Sequence, residues 1–405
     1  MDSFLRTSKE WLVSAREEKI TIVVGNEACD LDSMASAVLF AWFRSEDNPE
    51  TSSFKKYIPL LNIPKEDIKL RPEFQTLFKI CHIDAANLVT LTDLPTPEIL
   101  PPEQTQWVLV DHNKLDSNLG QLYSSCVAGC IDHHNEENSV PKNTKTEPRI
   151  IEKCGSCTSL VLREVAAPLL DENADLDDKP KYGSDVLKLG LASILIDTHN
   201  LQDATKTRKV DQDVVTCIDR ILSARSPDWN RDAFFGEIDA VMRNLDGLSF
   251  NDVLRKDYKQ WTETDVKLGI SSVVRDLDFL DGLVDKDQAI GANSGQYMTA
   301  VSEFMAKREL DIWAVMTIFS SKQKDGDKLF QRQLRLHWRS QQSRMLVEKF
   351  EERNREELQL ESIKDTKLSP GAEQNWMTWR QNNVAASRKQ VAPLIRNTVK
   401  QYSKI

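Results

Sequence analysis

Four segments of this chain place acids and imidazoles directly after apolar runs. Asp132-His133-His134 follows Cys126–Ile131, and Asp111-His112-Asn113 follows Trp107–Val110. Asp30-Leu31-Asp32 follows Ile20–Val24 across a short turn, and Asp197-Thr198-His199 ends the apolar segment Val186–Ile196. The chain has only 6 histidines, and His112, His133, His134 and His199 all lie within two residues of an Asp. Charged groups are poor core material unless paired or bound to metal, whereas Asp oxygen and His nitrogen are common ligands of divalent cations. Any one segment alone is weak evidence, because an Asp at a helix start is more often a cap than a ligand. Four together are different: clustered carboxylates repel unless a cation neutralises them. The number of acids suggests two ions. Such a pair clamps an in-line displacement at phosphorus and generates a bridging hydroxide at neutral pH.

The elements that must position these residues alternate between strand and helix. Ile20–Val24 is a β-branched run and reads as a buried strand, and Asp32-Ser33 opens a helix to about Arg44. Tyr57–Leu61, Leu88–Leu91, Trp107–Val110 and Val127–Ile131 read as further strands. Helices are expected over Lys65–Ile80, after Gly155–Leu160 to about Leu170, over Val186–Ile196 and over Val210–Ala224, with an acidic loop from Asp171 to Gly183. Alternation of this kind predicts a mostly parallel sheet with helices on both faces, and such sheets hold ligands at the carboxyl ends of their strands. Arg225-Ser226-Pro227-Asp228 breaks the pattern. A second α/β region follows, with a strand over Val266–Val274, a helix near Gln296–Glu309, a strand over Ile312–Phe319, a polar turn at Ser320–Asp327 and a charge-dense helix over Met345–Ile363. The organisation expected is a first domain over 1–225, a linker over 226–245 and a second domain over 246–405.

At 405 residues the chain is too long for one ordinary core. Its apolar content of 40% and charged content of 29% are those of a soluble globular protein. The net charge of −10 excludes bulk electrostatic binding of nucleic acid or anionic membrane, so an anionic substrate needs a local positive site. No stretch is apolar enough to span a bilayer, and the charged segment Met1–Lys19 lacks the apolar core of a signal peptide. The 7 cysteines are therefore expected reduced, in the cytoplasm. Cys126/Cys130 and Cys154/Cys157 have zinc-like spacing but fit better as thiols in a strand and at a helix start. Near the far end, Gln381–Ile405 carries five Lys or Arg residues and no acid. That fits either a basic helix end favoured by the macrodipole or a phosphate clamp.

The ordered set GNEACDLDS, VLVDHN, GCIDHH and LIDTHN resembles the four motifs of the DHH phosphoesterase superfamily. The later RKDYKQW and SRKQ resemble the C-terminal DHHA2 domain of its exopolyphosphatase, prune-type and family II pyrophosphatase branch. Together these motifs cover nearly the whole chain and are most similar to the fungal exopolyphosphatase type. The resemblance implies an N-terminal αβα DHH domain holding two metals, a smaller α/β DHHA2 domain, and an active site in the cleft between them. It implies Asp30 and Asp32 on different metals, Asp111 bridging both, and His133 with Asp197 on the second. His134 would face the substrate phosphate, Asp132 would orient a ligand histidine from behind, and Lys259, Arg388 and Lys389 would hold the electrophilic phosphate. Asn26 stands where pyrophosphatases of this branch have His, which implies a looser first metal; Asn26 and His112 are expected near metal or substrate. His199 is expected behind the ligands, and His82 and His337 as surface or packing residues.

The activity implied is hydrolysis of the terminal phosphoanhydride of inorganic polyphosphate by a hydroxide held on two Mg2+ or Mn2+ ions, in a monomer. Alternatives are an inorganic pyrophosphatase, a prune-like phosphodiesterase or short-chain polyphosphatase, and a non-catalytic adaptor of the same fold. Retention of the full acid and imidazole set argues against the last.

Overall fold

The computed structural model describes residues 1–14, 19–46, 56–144, 146–170, 182–287, 294–322, 328–363 and 375–402. The chain forms two compact units, Met1–Asn244 and Leu245–Ile405. Most of the acidic loop expected from Asp171 lies outside the described residues.

The first unit is built on a six-stranded sheet. Its strands are Ile20–Val24 (β1), Lys56–Leu61 (β2), Val89–Thr90 (β3), Thr105–Val110 (β4), Val127–Asp132 (β5) and Arg149–Ile151 (β6). All pairings are parallel, in the order β3-β2-β1-β4-β5-β6. The helices Leu31–Glu46, Cys157–Val165 and Ser184–Asp197 pack together on one face in an apolar cluster that includes Phe40, Leu160 and Leu191. A second cluster, with Ile22, Trp107 and Tyr123, fills the other face, so the inner strand β1 is buried throughout and reads as a near-continuous apolar run.

This order has a consequence for the site. Chain progression reverses between β1 and β4, and the crevice beyond their carboxyl ends is the preferred ligand position of a doubly wound sheet. The turn after β1, Asp111 after β4 and the triplet at the end of β5 all lie there.

The structure departs from the sequence pattern at several points. The strand β6 was not expected; it is three residues long and only partly buried, so it lacks an apolar signature. The helix expected to Leu170 is two, Cys157–Val165 and Ala167–Leu170, broken at Ala166. Residues 226–245 are not an open linker. They contain the helix Arg231–Met242, capped by the Asn230 side chain on the Ala233 N–H (2.8 Å), and its Phe234 and Ile238 are buried in the first unit's core.

The second unit has its own six-stranded sheet. Its strands are Tyr258–Glu263 (β7), Val266–Val273 (β8), Ile312–Thr317 (β9), Gln333–Trp338 (β12), Leu360–Ser362 (β13) and Trp376–Gln381 (β14). The order is β13-β14-β12-β9-β8-β7, antiparallel except for β8 with β9. The polar turn expected from Ser320 is flanked by a two-stranded hairpin, Phe319–Lys322 (β10) with Lys328–Gln331 (β11). The charge-dense helix spans Gln341–Leu358 and stops at Gln359, whose φ of 50° turns the chain into β13.

Candidate metal centre

Among the described residues, Asp111, His133 and His134 bring donor atoms within 4.8 Å of one another. Asp111 follows β4 with φ 60°, a left-handed conformation that a non-glycine residue adopts only when its surroundings impose it. Here its N–H is held by the Ile131 carbonyl (3.0 Å) and the Cys157 sulfur (3.2 Å). Its Oδ2 accepts from Asn26 Nδ2 and Ser33 Oγ, each at 2.7 Å. Oδ1 lies 3.2 Å from His133 Nε2 and 3.7 Å from His134 Nδ1. Burial and the neighbouring charges of Asp32 and Asp30 outweigh the His133 bond and push the Asp111 pKa up to about 7.

His133 is fixed from behind by the Cys154 carbonyl, 3.1 Å from Nδ1, which turns Nε2 toward Asp111 and Asp32. Burial opposes a charge on this ring, but the Asp111 and Cys154 bonds and the Asp32 charge push its pKa far up. Of the two imidazole rings, Asp132 meets that of His134. It accepts His134 Nδ1 (2.8 Å) and the backbone N–H groups of both histidines (2.8 and 3.2 Å), while Asn113 Nδ2 meets its other oxygen at 2.5 Å. Burial would raise the Asp132 pKa, but His134 and Asn113 hold it down at about 2. With Nδ1 engaged, His134 has Nε2 left for a ligand.

Asp32 is buried at the second position of the helix Leu31–Glu46 and serves the N-terminus of another helix. Its Oδ2 accepts the Cys157 N–H (2.7 Å); its Oδ1 accepts the Thr158 N–H (2.9 Å) and the hydroxyls of Ser156 (2.6 Å), Thr158 (2.8 Å) and Ser193 (3.0 Å). Burial raises its pKa, but the His133 charge and these donors outweigh that and hold it below the ordinary value. Asp30 is exposed, and its Oδ1 caps the helix Leu31–Glu46 through the Ser33 N–H (3.1 Å).

Asp197 ends the helix Ser184–Asp197. Its Oδ2 is shielded from solvent and has no hydrogen-bond partner. Burial, then Asp32, Asp30 and Asp111, drive its pKa well above the ordinary value despite His133. A buried carboxylate oxygen without a donor, among acids that repel it, fits a divalent cation; this donor set of carboxylates and imidazole is chemically suited to one.

Both polar ends of the Asn26 amide are engaged, Nδ2 with Asp111 and Oδ1 with the Ala28 N–H (2.8 Å), so it buttresses the centre. His112 folds back onto the Val110 carbonyl (2.9 Å), with Nε2 buried and unpartnered. His199 is exposed with its ring edge against Phe235, not behind the ligands. His82 is an exposed partner of Asp185, and His337 is packed on Trp313. In the second unit, Lys259 lies on β7, Arg388 is tied to the Asp257 carboxylate (2.6 Å), and Lys389 is exposed.

The DHH family, N-terminal domain model matches residues 20–194, and the DHHA2 domain model matches 236–398. The chain is 31% identical over 388 residues to the "Putative exopolyphosphatase" of Schizosaccharomyces pombe, covering 95% of this chain and 92% of that one. The chain belongs to the DHH phosphoesterase family. Its DHH relatives include "Exopolyphosphatase PRUNE1" of Bos taurus, 25% identical over 99% of this chain and 80% of that protein. The DHH fold is shared with a solved Methanococcus jannaschii chain titled "putative family II inorganic pyrophosphatase", with a TM-score of 0.54 and 18% identity over 95% of this chain and 99% of that one. This DHH chain is a hydrolase by family, and no helix among its described residues is long and apolar enough to cross a membrane.

Proposed function

We propose that the chain hydrolyses the terminal phosphoanhydride of inorganic polyphosphate and releases orthophosphate, with two Mg2+ or Mn2+ ions in the first unit. The observation that carries this reading is geometric: donor atoms of Asp111, His133 and His134 lie within 4.8 Å of one another, and the shielded Asp197 Oδ2 has no hydrogen-bond donor. The S. pombe and PRUNE1 relatives, both named exopolyphosphatases, supply the substrate class.

In this reading Asp30, Asp32, Asp111, His133 and Asp197 hold the cations. Asp32 ligates through Oδ2, because Oδ1 is already crowded with donors. When bound, the ions supply Lewis acidity at phosphorus and an activated water near neutral pH. His134 meets a phosphate oxygen through Nε2, since Asp132 takes Nδ1. Lys259, Arg388 and Lys389 hold the electrophilic phosphate; the Asp257 carboxylate fixes the Arg388 fork so that less freedom is lost on binding. Water adds to the terminal phosphorus, the bridging P–O bond breaks, and the shortened chain leaves. The full-length protein is expected to act as a monomer.

The test compares orthophosphate release from long-chain polyphosphate, tripolyphosphate and pyrophosphate, each with Mg2+ and with Mn2+. Polyphosphate should be the best substrate. Fastest turnover of pyrophosphate would overturn the reading in favour of a pyrophosphatase.

A further inference from the structure

Asp211 lies at the third position of the helix Lys209–Arg225 and is fully buried. At that position a carboxylate ordinarily closes a capping box, and Asp211 does so through the Arg208 N–H (2.8 Å). That role explains one of its four hydrogen bonds. The other three reach 52 to 56 residues back along the chain: Oδ2 accepts the Gly155 N–H (2.8 Å), and Oδ1 accepts the Ser156 N–H (3.3 Å) and the Ser159 hydroxyl (2.7 Å).

The turn that Asp211 grips controls two of the proposed ligands. The Cys154 carbonyl, immediately before Gly155, orients His133. The Ser156 hydroxyl and the N–H groups of Cys157 and Thr158, immediately after, hold Asp32. The first turn of the helix Cys157–Val165 is thus gripped by two carboxylates, Asp32 on one side and Asp211 on the other. Gly155 permits the arrangement, since a Cβ there would run into the Thr198 methyl and lie 3.0 Å from Asp211 Oδ2. No other residue type fits without displacing the turn.

We infer that Asp211 is a positioning residue for the metal centre, setting through the Cys154–Ser156 turn the directions in which both His133 and Asp32 present their ligand atoms. This rests on the metal reading above. Partners one layer behind a ligand typically change metal affinity by about ten- to a hundredfold.

The experiment is a calorimetric titration of Mn2+ into the full chain, with no substrate present. Asp211→Ala should weaken Mn2+ binding by about ten- to a hundredfold, and Asp211→Asn, which keeps one acceptor oxygen, by less. Ser159→Ala removes a single bond to Asp211 and should shift affinity in the same direction, so the test does not depend on D211A folding. Leu222→Ala, a buried apolar truncation on the same helix, is the control for lost stability. It should lower the melting temperature and leave Mn2+ affinity unchanged. Mn2+ affinity in D211N and S159A equal to wild type, or lowered no more than in L222A at matched stability loss, would overturn the positioning role. A wild-type chain that binds no Mn2+ would instead overturn the metal reading itself.

Discussion

Asp32 and Asp197, both ligands in the proposed reading, stand at opposite poles of two helices. Asp32 faces the N-terminus of the helix Cys157–Val165, where unpaired N–H groups and the macrodipole favour a negative charge. Asp197 stands at the C-terminal end of the helix Ser184–Asp197, where the dipole opposes one, and its Oδ2 has no donor. The His133 charge and these donors hold the first carboxylate below its ordinary pKa, while burial and the neighbouring acids drive the second well above it. The difference teaches that this centre is half satisfied by protein. The N-terminal pole, together with His133, keeps one acid ionised, and in the proposed reading the donorless oxygen at the C-terminal pole is the one that a cation would satisfy.

The largest effect should come from Asp111, the acid whose oxygens meet Asn26, Ser33 and His133. Asp111→Ala should lower polyphosphate hydrolysis with Mg2+ by more than about a hundredfold, beyond what an outer partner contributes, with unchanged far-UV circular dichroism. Near-normal turnover would remove Asp111 from the centre.

The two poles should next separate in stability measured by urea unfolding in chelator. Asp32→Asn should destabilise by about 1–3 kcal/mol, because it leaves buried donors unmatched. Asp197→Asn should move the midpoint the other way, since it removes a buried repelling charge with no donor to lose. A shift of the same sign in both variants would break the contrast.

Their pH dependence should differ in sign as well. Asp32 binds its proton less tightly in the folded chain, so its contribution is present above the unfolded value of about 3.9 and is lost as the pH falls. Asp111 binds its proton more tightly; its contribution is full below about 3.9 and is lost as the pH rises to about 7. In chelator, Asp111→Asn should therefore flatten the decline of stability between about pH 4 and 7, and saturating Mn2+ should abolish the difference. An unchanged slope in the variant would refute the assignment of that decline to Asp111. The smallest effect expected is for Ser193→Ala, which removes one of several donors to Asp32 and should cost about 1 kcal/mol or less.

Much of the site was legible because its residues interrupt strong local patterns. An Asp following Trp107–Val110 and an Asp-His-His closing Val127–Ile131 stand out against buried strands. Other parts carried no such signal. Asp211 reads locally as an ordinary capping residue, and three of its four partners are distant in sequence. Asn26 reads as a ligand position, yet both ends of its amide are engaged by neighbours brought there by the fold. The strands β6 and β7 escaped notice because a short or edge strand is only partly buried and shows no clean apolar pattern.

The sequence by itself determined the alternation of strands and helices, the acids and imidazoles at their ends, and the family those motifs belong to. It could do so because burial and helix geometry impose periods that a linear pattern records. The tertiary structure alone decided what each acid does. Asp32 and Asp197 are the same residue type, but only the fold sets one against free N–H groups and the other at a C-terminal pole without a donor. Charge state inside a protein depends on what surrounds a group in space, and neighbours such as Cys157 for Asp32 are remote in the chain.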